Sequence, residues 1–420
     1  MDRVDLEHRH RTYDGWIPPT VAALLHEHGH HDILRHAAAH GDWFCARRLA
    51  EAAAESGPDG RAAALALLKP FAATGWWPAV DTVAGLFAEW EWYDEAIVLL
   101  RPLADTGHRY AQRDLARLLA RQGRFDQVVA LLGPRAADPL LAQELVELAA
   151  GQGHDAEIAV LLPGIRTGPD PSEPWSSDVV DTVPVHARFL ELQGRIDEAI
   201  HLLGRHVCVD GVVYADHAEQ LARLLGRHGR EAELRAFPAD GCEEYALAAL
   251  ARLLEEQDRI PEAVALLGKS AGAGNPHAAF GLAELLARQG RHCKAVEVLR
   301  TAAETAGGDR DWLIHLLCRI LADAGQTDDA LTWIDDHFAR HGGDHREQAF
   351  MRAEVMKLSG RAADAEAEPA EFAGSDEELL RCGTVDSAIA RAERLVRRGQ
   401  PQKAVAHLRD RLDEARAVRG

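Results

Sequence analysis

Leu24 to His36, LLHEHGHHDILRH, holds the side chains with the most chemical potential in this sequence. His26, Glu27 and His30 read H-E-x-x-H, and His36 follows six residues later. On one unbroken helix, His26 and His30 would stand a turn apart and could hold zinc between two imidazoles. His36 could then serve as third ligand and Glu27 as general base for a metal-bound water. The chemistry needs continuous helix through the motif and a sharp turn that brings the third histidine back. Gly29 falls inside the motif, and Ile33 stands where the turn calls for glycine. Apart from Met1, the only methionines are Met351 and Met356, so no methionine turn follows. With 22 histidines in the chain, such a coincidence is also easily reached.

Other catalytic signatures are missing: no G-x-x-x-x-G-K-[ST], no nucleophile elbow, no dinucleotide fingerprint after a strand. AGAGNP at 271–276 resembles a phosphate loop only in its glycines. Six cysteines are scattered without a C-x-x-C pair, as expected of reduced thiols in a cytoplasmic protein. A formal net charge of −20 argues against a nucleic-acid backbone or an anionic membrane as partner. No apolar run approaches the roughly 18 residues of a membrane span, and the opening MDRVDLEHRHRTYDGW is too charged for a secretory signal. Only five of the 47 basic residues are lysine, which with the abundant alanine points to a GC-rich bacterial genome.

The elements that carry these residues emerge from internal self-similarity. LARLLARQGRFDQVVALLGP from Leu115, HARFLELQGRIDEAIHLLGR from His186 and GLAELLARQGRHCKAVEVLR from Gly281 each read as helix, break, helix. The breaks centre on Gly29, Asp59, Glu91, Gly123, Gly153, Gly194, Gly229, Asp258, Gly290, Gly325, Gly360 and Gly399. These twelve copies recur about every 34 residues. Seven residues before the break ten copies have alanine, with Val146 and Cys318 as the exceptions. Four before the break, eight have leucine; five after it, eight have alanine. A small column on an apolar helix face lets another helix backbone come close, and a short break permits only an αα-hairpin. HVCVDGVVYADH at 206–217, the one β-branched run, is read as a linker entering a helix.

This pattern resembles the tetratricopeptide repeat family over nearly the whole chain. The shared features are the period, the small residue of the first helix and the alanine five residues past the break. The family's aromatic two residues after the break survives only as Tyr93 and Phe125. The resemblance implies an all-α, right-handed α-solenoid whose first helices line a concave groove and bind other proteins. The expected division is a polar extension at 1–15, repeats over 16–163, a proline-rich insertion loop or hinge at 164–183, repeats over 184–373, and a last repeat with capping helix at 374–420.

Register places H-E-x-x-H across the first break, so a solvated repeat edge is expected there, with His26, His30 and His36 as the only metal candidates. The expected groove column, six before the break, holds Arg117, Arg188, Arg223, Arg252 and Arg319, about five times the arginine that composition alone predicts. Arg121, Arg227 and Arg288 extend the stripe one turn later and Arg113 one turn earlier. Their guanidinium forks suit a partner's carboxylates, or else intrahelical pairs such as Arg252–Glu256. Trp77, Trp90 and Trp92 belong to a tryptophan-rich first third that either packs between repeats or anchors a partner. The expectation is a non-catalytic cytoplasmic scaffold for a protein or peptide partner, with no cofactor, no nucleic acid and no membrane. A peptide- or ligand-sensing regulator is the alternative, and a zinc hydrolase at 26–30 the more distant one.

Overall fold

The computed structural model describes residues 2–164, 181–209, 212–237, 242–305, 311–342, 345–361 and 385–417. Most of the insertion expected at 164–183 and the start of the segment expected at 374–420 lie outside the described residues. A short helix comes first, α1 (Arg3–Thr12). Hairpins of a first helix, A, and a second, B, follow. In order they are α2 (Pro19–Glu27) with α3 (His31–Ala39), α4 (Trp43–Ala54) with α5 (Pro58–Ala72), α6 (Trp77–Glu89) with α7 (Tyr93–Asp105), α8 (Arg109–Arg121) with α9 (Phe125–Leu132), and α10 (Pro139–Ala149) with α11 (Asp155–Leu161). Next stand α12 (Val183–Leu192) with α13 (Ile196–His206), α14 (Ala215–Arg227) with α15 (Glu231–Arg235), α16 (Glu243–Glu256) with α17 (Ile260–Gly272), and α18 (Pro276–Arg288) with α19 (His292–Thr305). The last are α20 (Asp311–Asp323) with α21 (Thr327–His341), the A helix α22 (His345–Leu358), and α23 (Val385–Arg397) with α24 (Pro401–Ala417).

The breaks share one backbone device. Eleven of the twelve expected positions have φ between 61° and 93°, the left-handed conformation that ends one helix and turns the chain into the next. Glycine adopts it without strain; Glu91 (φ 62°) and Asp258 (φ 61°) do not have that freedom. Asp59 is the exception. It lies inside α5, and Gly57 (φ 84°), two residues earlier, is the left-handed residue that ends the second break. Counted from Gly57, Ala50 takes the small column in α4 and is fully buried, whereas Ala52 is only half-buried.

That column decides the packing. Ala22, Ala50, Ala84, Ala116, Val146, Ala187, Ala222, Ala251, Ala283, Cys318, Ala353 and Ala392 are all buried. The corresponding B-helix positions Ala64, Ala96, Ala199, Ala263, Ala295, Ala330 and Ala404 are fully so. Helix axes can therefore approach to the short end of the usual ~8–10 Å, with leucines interlocking beside the alanines. A helices pack on their own B helices and, in most of the described repeats, on the next A helix of the same unit, as in α14 on α16 and α16 on α18.

The contacts divide the chain into two compact units, one of residues 1–161 with 374–420 and one of residues 162–373. In the first, α23 packs on α2 and so occupies the side of α2 that a preceding A helix would cover. The second has one continuous core running from Val183 to Met356. The β-branched run is more than a linker: Cys208–Val209 and Val212–Val213 form a two-residue antiparallel ladder before α14. Valine fits a pleated strand better than a helix, and the hairpin satisfies backbone groups between α13 and α14.

Replacing Glu91 by Gly removes the left-handed strain and is expected to stabilise the chain by about 1 kcal/mol. Gly123→Ala, where nothing crowds the added carbon and only φ 71° opposes it, should cost a similar amount. Urea denaturation followed by circular dichroism checks both; shifts of equal sign would contradict the assignment.

Candidate functional site

The histidine stretch does not assemble the site its letters suggest. α2 ends at Glu27, Gly29 is left-handed, and His30 caps the start of α3. His26 and His30 thus belong to opposite sides of a helix break, and no group of three ligating side chains gathers among the described residues. His26 meets His31 ring to ring at 4.8 Å, and His36 meets His40 at 4.4 Å. Partial burial, then Arg48 and His31, hold the His26 imidazole below its usual pKa.

A more coherent surface lies in the second unit. Side chains of the consecutive A helices α16 and α18 enclose a groove of about 720 Å³. Leu247, Ala248, Ala251, Gly281 and Leu285 form its floor, Tyr245 and Phe280 stand on it, and Arg252, Arg288, Glu255, Glu256 and Glu284 rim it. His277 lines the same groove and stacks on Trp312 of α20 at 5.0 Å, while Phe280 meets Trp312 at 5.3 Å. Tyr245, His277 and Trp312 share one register, thirteen residues before the left-handed residue of their repeats. Trp16, Phe44 and Tyr110 hold that register in the first unit. This aromatic column went unread in the sequence. Its members differ in type, His277 among them, and Phe44 falls into line only when the second repeat is counted from Gly57.

Of the nine arginines expected in the groove, eight hold a carboxylate within the chain. Four bridge neighbouring A helices. Arg117 grips Glu144 with both arms of its fork at 2.6 and 2.9 Å, Arg227 grips Glu191 at 3.0 and 2.8 Å, and Arg288 grips Glu255 at 2.9 and 2.7 Å. Arg319 reaches Glu284 at 3.0 Å. Arg188 donates to Glu191 at 2.8 Å, and Arg113 to Asp114, beneath its contact with the Tyr110 ring. Arg223 and Arg252 are held only by Glu219 and Glu256, one turn away on their own helices, and are 68% and 81% exposed. Arg121 is exposed at the end of α8. Burial would raise the Glu191 carboxyl, but Arg227, Arg188 and His228 overturn this and hold it at about 2. A second ladder runs along the breaks, where Arg259 meets Glu231, Arg230 meets Asp197 and Arg361 meets Asp328.

The tryptophans part company. Trp77 shares a ring cluster with His108 at 4.5 Å and Tyr110 at 6.4 Å, beside the aromatic column. Trp90 is buried under the Arg61 guanidinium, and half-exposed Trp92 touches it at 5.1 Å at the opposite end of α6.

One buried charge also escaped the sequence. His217 on α14 is fully buried, its Nε2 paired with Asp181 at 2.5 Å and its Nδ1 with the His206 carbonyl at 2.8 Å. A carbonyl and a carboxylate both accept, so this setting favours the doubly protonated ring. Burial alone would lower its pKa; the Asp181 carboxylate, the His206 carbonyl and Asp216 more than reverse that and raise it.

These features define a helical-repeat protein of the α-solenoid class. Five segments, 109–134, 245–269, 276–301, 315–336 and 386–410, match the tetratricopeptide repeat family, each on an A–B hairpin. Those five hairpins are similar to the tetratricopeptide repeat, a helical-repeat fold that generally serves as a binding scaffold. No protein of curated function matches it in sequence. Among solved structures it is similar to the pentatricopeptide repeat protein PPR10 in complex with an 18-nt psaJ RNA element, at 16% identity over 94% of this chain and 64% of that one, TM-score 0.34. It is similar also to Naa15/Naa10 bound to HypK-THB, at 14% identity over 93% and 70%, TM-score 0.35, and to the P58(IPK) TPR domain, at 12% over 80% and 98%, TM-score 0.17. The chain spans just under two thirds of the length of the first of these. At such scores the likeness is remote.

Because the folded His217 pKa is raised, its contribution to stability is complete below about pH 6.5, the ordinary value, and is lost as pH rises through the folded one. Urea midpoints measured from pH 5.5 to 9 are expected to fall for the native chain and to fall less for His217→Gln. Parallel slopes in the two proteins would show that this ring is not the titrating group.

Proposed function

We propose that the chain is a non-catalytic scaffold that binds a peptide segment of a protein partner along the A helices of its second unit. The observation that carries this reading is the groove between α16 and α18, apolar at its floor, aromatic at one end and charged at its rims. Its volume lies within the ~300–1,000 Å³ typical of ligand sites, and the rigid repeat core beneath it supplies a preformed surface. An aliphatic or aromatic side chain of the partner fills the space beside Leu247, Ala251 and Leu285, with Tyr245 and Phe280 as walls.

Acidic groups of the same segment meet Arg252 and Arg223, which stand in one column on consecutive A helices. Their present pairs are exposed and intrahelical, worth a few tenths of a kcal/mol to ~1 kcal/mol, so exchange for a partner's carboxylate costs little. Of the six arginines engaged elsewhere, Arg117, Arg227, Arg288 and Arg319 fix neighbouring helices, while Arg113 and Arg188 hold Asp114 and Glu191 on their own helices. Arg121, Trp77, Trp90 and Trp92 lie in the first unit and are outside this groove. A single-stranded RNA is the competing occupant; the acid-rich chain opposes it, since phosphate binding needs uncompensated cations.

Panning a displayed 12-residue peptide library on the purified chain tests the reading. Enriched peptides should share one large apolar residue flanked by Asp or Glu. Phe280→Ser should weaken them about tenfold or more, and the double change Arg223→Glu with Arg252→Glu comparably, both with unchanged melting. Binding indifferent to Phe280→Ser would overturn the groove; enrichment of basic peptides would overturn the acidic partner; tighter binding of a labelled oligoribonucleotide would replace the protein partner by RNA.

A further inference from the structure

The aromatic column that is open in the second unit is partly covered in the first. There α1 lies against the starts of α4 and α6. Its His10 ring packs on Phe44 at 5.6 Å and edge-on to Trp76 at 5.2 Å. Its Glu7 accepts from Trp76 Nε1 at 3.1 Å, and the adjacent Leu6 is fully buried. Tyr13, which caps α1, meets Phe44 at 5.7 Å, and Trp16 meets both Phe44 and Trp76. Further along, the Arg3 guanidinium is near enough to His108, the cap of α8, to add to the burial that depresses that ring. α1 therefore spans the starts of α4 and α6, and Phe44, one of its seats, holds the same register as Tyr245 and His277 in the open groove.

The attachment is narrow. Leu6 is the only buried residue of α1; Val4 is 78% exposed and the remaining side chains are polar. A ten-residue helix is marginal in water without tertiary support, even with the Asp2 cap and the Asp5–Arg9 pair that this one has. No helix backbone packs along it over any length among the described residues; side chains alone hold it. The surface beneath is of the opposite kind, since Trp43 and Trp76 are almost wholly buried in the repeat core and Phe44 rests against Trp16. A weakly held helix thus sits on a strongly built site.

We infer that α1 is a displaceable internal ligand, and that the surface beneath it, formed by Phe44, Trp76 and Trp16, is a second docking site for a helical segment of a partner protein. The segment carries the pattern that α1 presents: an aliphatic residue, a carboxylate next to it and an imidazole or aromatic ring four residues after the aliphatic one, as in Leu6, Glu7 and His10. The aliphatic side chain takes the Leu6 seat, the carboxylate accepts from Trp76 Nε1, and the ring lies on Phe44. The partner must displace α1 to bind, so the site is self-occupied until a competing helix is present. This inference does not depend on the groove at α16 and α18, and its test leaves that groove untouched.

The test uses the full chain with Leu6→Asp and His10→Asp, which undock α1, and a fluorescently labelled peptide of residues 2–14. The variant is expected to bind the peptide at least about tenfold more tightly than the native chain does, while a peptide carrying Leu6→Asp fails to bind. Equal binding by variant and native chain, or no binding by a variant that melts as the native chain does, would overturn the inference. Hydrogen exchange on the native chain decides independently of whether the variant folds. Amides of α1 should exchange well before those of α4 and α6, and exchange in step with them would make α1 part of the core.

Discussion

The close approach of helix backbones across the alanine columns is the constraint on which the rest of the structure depends. An isolated A–B hairpin cannot bury both apolar faces, so each becomes stable only against its neighbour. Alanine at the two crossing points sets the separation, and leucine fills the space on either side. A larger residue at Ala116 or Ala283 would push two helices apart and propagate to the next pair. Because every hairpin obeys the same spacing, the A helices stack in one orientation. A residue type that recurs at one position therefore becomes a row on the surface. The binding surface is a consequence of the packing rule rather than a separate addition to it.

Rows have an electrostatic cost that the structure meets with its acidic excess. Arginines stacked at the same position on successive helices would repel one another across about 10 Å. Glutamates one repeat away intervene, as Glu144, Glu191, Glu255 and Glu284 do. Glu191 accepts from Arg227, Arg188 and His228 at once, and these hold its pKa at about 2 against the opposing effect of burial. Each bridge alone contributes little at this exposure, but repeated bridges along one face fix the angle between neighbouring helices. At Arg223 and Arg252, where an exposed pair closes within a single helix, the guanidinium can change partner without loosening that angle.

The alanine columns were legible because they are local. A period, a break and two small residues on one face suffice to place eleven left-handed residues and every A helix among those described. The second break misled by two residues. Asp59 kept register with Ala64 in the B helix, yet Ala50 in the A helix answers to Gly57, and no local signal separates the two frames. The same slip hid Phe44 from its aromatic column. The arginine column was visible as a composition bias, but its partners were not, since Glu144 and Glu191 become neighbours of Arg117 and Arg227 only through helix stacking. Long-range contacts left no trace in any window: His217 with Asp181, α1 with Phe44 and Trp76, α23 with α2. Such contacts follow from where the repeats carry the chain, which no periodicity records.

The histidine stretch and the aromatic column carry opposite lessons about motif and position. His26, Glu27 and His30 have the residues of a metal site without its geometry, because a left-handed glycine separates them. Phe44, Tyr110, Tyr245, His277 and Trp312 have no motif at all, because each stands in a different repeat. The repeat nevertheless delivers them to equivalent places at the starts of A helices. In the first unit part of that column is roofed by α1; in the second it walls an open groove. In a protein built by stacking, the chemistry that matters is read down the columns of the repeat, and adjacency along the chain is the poorer guide.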